Sequence, residues 1–129
     1  MKDQLQKLER ILITESQLYD QLIALSVEMH DAILKKDLEQ IATITQKHDT
    51  LASSIEKWEE NRLHICDQIS HHLYQDGHHI TLTSIIKSLP PTDTKALTRL
   101  RNDLKERIHK VVRKNTDNKI LLEESLKSI

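Results

Sequence analysis

The sequence predicts an all-α chain: an elongated antiparallel three-helix bundle of coiled-coil character, with a short helical segment in its second connection. Two runs of apolar residues and the composition carry that reading. Leu5, Leu8, Leu12, Tyr19, Leu22, Met29 and Ile33 recur at helical steps, as do Leu38, Ile41, Ile44, Leu51, Ile55, Trp58, Ile65, Ile69 and Leu73. One glycine, two prolines and 30% charged residues leave little turn chemistry for a sheet. Strands would also favour aromatics, and there is no Phe, with Trp58, Tyr19 and Tyr74 alone. A chain of 129 residues makes one domain, 1–129, whose core is a narrow Leu/Ile stripe between long helices.

The first helix is expected over about 3–34, a rod of roughly 48 Å. Lys35 and Lys36 then suit the negative end of the helix dipole. Asp37 is placed to cap a second helix over about 37–76, with Gln40 three residues on giving something close to a capping box. The turn is therefore short and the two helices form an antiparallel hairpin. Gly77 is the residue that enters a left-handed C-cap without steric penalty. A short helix over about 81–89 would turn Leu82, Ile85, Ile86 and Leu89 inward, and Pro90-Pro91 would end it. Thr92 or Thr94 would cap the last long helix, about 93–129. In that helix Asn115 and Asn118 are set into the apolar seam just before Leu121, Leu122 and Leu126, a polar break that is costly unless it fixes a register or a partner.

Charge is unevenly distributed. Residues 1–60 carry seven Lys/Arg against twelve Asp/Glu, a net of −5, and residues 95–129 carry ten against five, a net of +5. The simplest account is intramolecular, a basic helix lying against an acidic hairpin. The stretch Arg99, Arg101, Lys105, Arg107, Lys110, Arg113 and Lys114 has no stacking aromatic beside it and no recognised motif, so nucleic acid is not the expected partner. No run of 18 apolar residues and no apolar leader is present, so membrane insertion and export are not indicated. Cys66 is the single cysteine and reads as a small buried hydrophobe in a chain of the reducing cytosol.

Four histidines, His71, His72, His78 and His79, cluster near the end of the second helix. A zinc site needs three or four converging ligands, and adjacent His pairs diverge on a helix, so a solvated helix end is expected and no metal or cofactor is implied. His48 falls on the seam as a hydrogen-bonded core histidine. No phosphate loop, nucleophile elbow or zinc-protease motif occurs, which argues against an enzyme and leaves no catalytic residue to name. Glu15 and Arg62 interrupt the seam and read as structural polar pins satisfied across helices. Counting the helical rise puts Glu15 level with Arg113 to Asn115.

Taken in order, several elements resemble the FlgN-like family, the flagellar type III export chaperones for hook-filament junction proteins. They are Leu8 to Leu25 with its Glu15-Ser16-Gln17-Leu18-Tyr19 core, Lys36-Asp37-Leu38, Trp58-Glu59-x-x-Arg62, and Gly77 followed by Thr81-Leu82 and Ile85. Asn115-x-x-Asn118-x-x-Leu121-Leu122-x-x-Ser125-Leu126 closes the likeness. The resemblance implies a cytoplasmic protein without nucleotide or metal that binds junction subunits, prevents their premature association and delivers them to export apparatus components. It also implies a cargo surface at Asn115, Asn118, Leu121, Leu122, Leu126 and Ile129. Family members usually continue into a further amphipathic tail, so here either that tail was removed or cargo binding depends on the last helix alone. The alternative is a homodimeric coiled-coil adaptor that uses the same stripe on itself, which leaves monomer or homodimer open.

Overall fold

The computed structural model describes residues 1–74 and 81–128, and among these every regular element is helical. The helices are α1 (Lys2–Leu34), α2 (Leu38–Tyr74), α3 (Leu82–Ser88) and α4 (Pro91–Lys127). The expected end of the second helix at 75–76, the Gly77 cap, and His78 and His79 lie outside the described residues.

The turn between α1 and α2 is built from backbone. Lys36 sits in the left-handed region at φ 55, its N–H donating to the Ile33 carbonyl at 3.0 Å and that of Asp37 to Ala32 at 3.0 Å. This pair of bonds is a Schellman motif, which satisfies the last carbonyls of α1 and puts Lys36 where glycine is favoured. Lys36 thus does more than complement the dipole. Asp37 caps α2 as expected, its Oδ1 accepting from the Gln40 N–H at 3.1 Å.

At the other end, Thr81 Oγ1 accepts from the Ser84 N–H at 3.2 Å and caps α3. Leu82 and Ile85 are buried, with Ile86 and Leu89 packed beside them. Neither Thr92 nor Thr94 caps the last helix. Pro91 opens it, preceded by Pro90 with no side-chain cap, and Thr94 Oγ1 instead donates to the Pro90 carbonyl at 3.4 Å. Proline fits the first helical position because its missing N–H would have no partner there and its φ is already helical. The same two prolines therefore end α3 and begin α4.

Bonds between α1 and α4 join residues separated by 87, 89 and 92 positions, so the two helices run in the same direction, with α2 antiparallel to both. That spacing puts Glu15 level with Leu104, not with Arg113 to Asn115. The same spacing sets Pro91 close to level with Lys2, the start of α1. Helices α2 and α4 both pack along α1, yet among the described residues no Cα of α2 comes within 8 Å of one of α4.

The core consequently tapers. Near α3, all four helices contribute to one cluster, including Leu8, Leu12, Ile65, Ile69, Ile85, Leu97 and Leu104. In the middle Leu22, Ile55 and Val111 meet. Near the α1–α2 turn the cluster of Leu25, Ala32 and Ile44, with Met29, Ile41 and Leu51, contains no residue of α4. The molecule is closed at the α3 end and open at the turn end.

Relief of the left-handed strain sets a direct expectation. Lys36→Gly should raise stability in thermal or urea unfolding by about 1 kcal/mol, the steric cost removed less the extra freedom of glycine in the unfolded chain.

Candidate functional site

Two polar sites interrupt the apolar seam, and they differ in kind. The first joins α1 to α2 where the core is closed. Arg62 Nε donates to Glu15 Oε1 at 2.9 Å, with the Glu15 side chain 2% exposed and that of Arg62 23% exposed. Arg62 also reaches toward Glu59 at 4.0 Å. Burial pushes the Glu15 carboxyl above its ordinary value of 4.5, and the Arg62 charge and hydrogen bond pull against that without cancelling it. Burial likewise raises the neighbouring Tyr19 hydroxyl, and it lifts the Cys66 thiol to about 11. Cys66 is thus buried and protonated at neutral pH, a packing residue rather than a nucleophile.

The second site joins α1 to α4 at the open end. Asn118 is buried and its Nδ2 donates to the backbone carbonyl of Ser26 at 2.8 Å. Ser26 Oγ lies 3.0 Å from Asn115 Oδ1 and 3.0 Å from the Leu22 carbonyl, with one proton to share between them. The two asparagines therefore hold α4 on α1 through a polar latch where the apolar contacts of α4 have run out.

Beside that latch an apolar groove of about 330 Å³ opens between three helices. Leu25, Met29 and Ile33 of α1 form its floor, Ile41, Ile44, Thr45 and His48 of α2 one wall, and Asn115, Asn118, Lys119 and Leu122 of α4 the other. Leu122 is 36% exposed and Leu126, one turn on, 60% exposed. Leu121 is half-buried, and Ile129 lies outside the described residues. The stripe anticipated from sequence thus divides: two asparagines bonded inward, Leu122 in the groove wall, and Leu126 in solvent. Met29, Ile33 and Ile41 read in the sequence as ordinary seam positions. The signal that they face a gap was on the other helix, where Asn115 and Asn118 replace the apolar residues that should cover them.

Other side chains anticipated from sequence take quieter places. His48 is half-exposed in the groove wall, 3.9 Å from Asp49, rather than hydrogen-bonded in the core. His71 and His72 are exposed, and among the described residues no three His, Cys, Asp or Glu side chains gather as a metal site. The expected charge pairing of α4 with the hairpin amounts, among the described residues, to one cross-helix ion pair, Arg107 Nε to Asp20 Oδ1 at 2.9 Å. Arg99, Lys105, Lys110 and Arg113 point to solvent. A second, shallower hollow of about 610 Å³ lies between α1 and α2, lined by Gln21, Ala24 and Leu25 and by Thr43, Gln46, Lys47, Thr50 and Leu51. No described helix is long and apolar enough to cross a membrane.

A family model described as FlgN protein matches residues 1–129, and the chain belongs to that family. It is a family of flagellar export chaperones, not known as enzymes. No curated protein and no solved structure matches the chain significantly.

The Glu15–Arg62 pair gives two expectations. Arg62→Leu strands a buried carboxylate and should lower stability by about 3 kcal/mol, whereas Glu15→Leu removes the desolvated charge and leaves Arg62, 23% exposed and 4.0 Å from Glu59, able to reach water, so the melting temperature should rise. A carboxyl raised on folding takes up a proton as the chain folds. Its contribution is present below 4.5, the unfolded value, and is lost as pH rises through the higher folded value. Urea unfolding across that window should show stability falling with pH, and Glu15→Gln should flatten this component.

Proposed function

We propose that this member of the FlgN family is a cytoplasmic chaperone for hook-filament junction subunits: it holds their terminal helical segments, prevents premature association and delivers them to the flagellar export apparatus. The observation that carries the reading is the apolar groove left open between α1, α2 and α4. Leu122 and Leu126 extend its apolar surface into solvent, so a partner that covered it would gain by burial. An amphipathic helix that would otherwise associate with its own kind is a fitting occupant, by the helix-in-groove mode.

The cargo surface proposed here keeps Asn115, Asn118, Leu121, Leu122, Leu126 and Ile129, with unequal roles. The asparagines hold α4 in place and present the wall, while Leu122 and Leu126 offer the apolar contact. Cargo would then gain affinity from a few apolar anchors and little from polar groups, compatible with about micromolar binding that can be reversed at the export apparatus. We take the three long helices as one antiparallel bundle that serves as a rigid support for this surface.

The exposure of Leu122 and Leu126 also favours a second reading, in which the same stripe joins two copies of the chain as a coiled-coil adaptor. The two differ in what Leu122→Asp and Leu126→Asp change. For the chaperone, either substitution should abolish binding of labelled junction-protein segments in fluorescence anisotropy and leave the far-ultraviolet helical signal close to wild type. For the adaptor, the change would appear as a loss of dimer mass in light scattering, with no cargo binding in any variant.

A further inference from the structure

α4 packs on α1 and on α3, which fills the corner between α2 and α4 at the closed end, and among the described residues no Cα of α2 comes within 8 Å of it. One side of α4 is therefore free, and it is basic. Residues 82–114, from the start of α3 into α4, carry nine Lys/Arg against three Asp/Glu, a net of +6, in a chain whose net charge is −1. The rest of the chain thus sums to −7.

Lys95, Arg99, Lys105, Lys110 and Arg113 are exposed. At 100° per residue Lys95, Arg99, Lys110 and Arg113 fall within about 60° of one another, over a rise of about 27 Å. Glu106 is the one carboxylate inside that arc; Lys105 and His109 border it on one side, and Asp103 and Lys114 on the other. From α1, Asp20 faces this region and is taken by Arg107 at 2.9 Å, and Lys110 lines the hollow beside them. Glu9, three turns before Asp20, is the other carboxylate on that side of α1. Beyond Arg113 the same arc carries Asp117 and Glu124, so the basic face ends there. Asn115, Lys119 and Leu122, which wall the groove, stand on the opposite side of the helix.

Val112 is the one exposed large apolar side chain between Lys95 and Arg113, and no aromatic stands among them. Nothing on this face can insert into hydrocarbon or stack on a base, so the contact it offers is electrostatic. Its cations are spread along a straight convex helix instead of converging on one point. That arrangement suits a layer of mobile anionic groups better than a single phosphate.

We infer that the free side of α4, from Lys95 to Arg113, docks the chain on a membrane surface rich in anionic lipid, held against the headgroups without insertion. Each Lys or Arg near such a layer raises binding about fivefold, within a Debye length of about 10 Å at 0.1 M salt. The acidic remainder, repelled by the same layer, fixes one orientation. In it α4 lies on the lipid, and the groove, on the other side of α4, stays open to solvent. The inference does not rest on cargo binding.

The test is co-sedimentation of the full chain with vesicles of equal parts phosphatidylcholine and phosphatidylglycerol, set against vesicles of phosphatidylcholine alone. Arg99→Glu with Arg113→Glu reverses the face, and Lys47→Glu with Lys57→Glu makes the same change of net charge at exposed positions of α2. Unchanged circular dichroism and melting temperature establish that both variants fold. The inference expects the wild-type chain to bind the anionic vesicles alone and to lose at least tenfold in affinity at high salt. It expects at least a tenfold loss in the α4 variant and less than a threefold change in the α2 variant. Equal binding to both vesicles, binding to neither, or equal losses in the two variants overturns it. Tighter binding to duplex DNA than to the anionic vesicles at the same salt assigns the face to nucleic acid and overturns it too. So does a wild-type dimer that the α4 variant dissociates, which assigns the face to a second copy.

Discussion

The hydrogen bond from Asn118 to the Ser26 carbonyl sets the shape of the open end. A buried amide in an apolar seam costs free energy unless it is paired, so Asn118 must find α1, and it finds a backbone carbonyl that no ordinary substitution at position 26 removes. Asn115 reaches the hydroxyl of the same residue. Together they hold α4 against α1 without adding an apolar side chain to the cluster of Leu25, Ala32 and Ile44. Leucines at these two positions would fill the groove from inside. Asparagines hold the helix and leave the groove beside Ile41, Ile44 and Leu122 unfilled.

The closed end works by the opposite means. There Trp58, Tyr19 and Leu104 pack between the helices, and α3 seals the corner with Leu82 and Ile85. The Glu15–Arg62 pair lies in this region and fixes the register of the hairpin at a cost in desolvation. The chain covers itself at this end and leaves the groove at the other. Under the proposed chaperone role, the closed end is the support and the open end is the face that cargo would cover.

Most of the fold was legible in the sequence because long helices announce themselves by period. The span of α1, the capping of α2 by Asp37 and the inward face of α3 follow from apolar spacing and cap chemistry. What the sequence misplaced depends on tertiary geometry. Lys36 carries no mark of a left-handed residue, since its conformation is imposed by the closing bonds to Ile33 and Ala32. Thr92 and Thr94 are better caps than Pro90 by preference, but Pro91 starts the helix before either is reached. The level of α4 against Glu15 was misplaced because helix lengths alone do not record the offsets between helices at the turns. Asn115 and Asn118 stood out as exceptional, yet an asparagine that serves a buried carbonyl and one that serves a partner look alike in a sequence. Met29 and Ile41 could not be told from core, because partial exposure of a groove lining depends on what the facing helix withholds, while Ile33 beside them is buried as a seam residue should be.

The central claim is that this chain, through its open groove, takes up helical segments of junction subunits. Calorimetric titration of the purified chain with those segments, run beside light scattering, tests it most directly. The account predicts saturable one-to-one binding at about micromolar affinity or tighter, with a negative heat-capacity change from burial of the groove. A stable dimer that gives no heat with any segment would contradict it and return the exposed stripe to self-association.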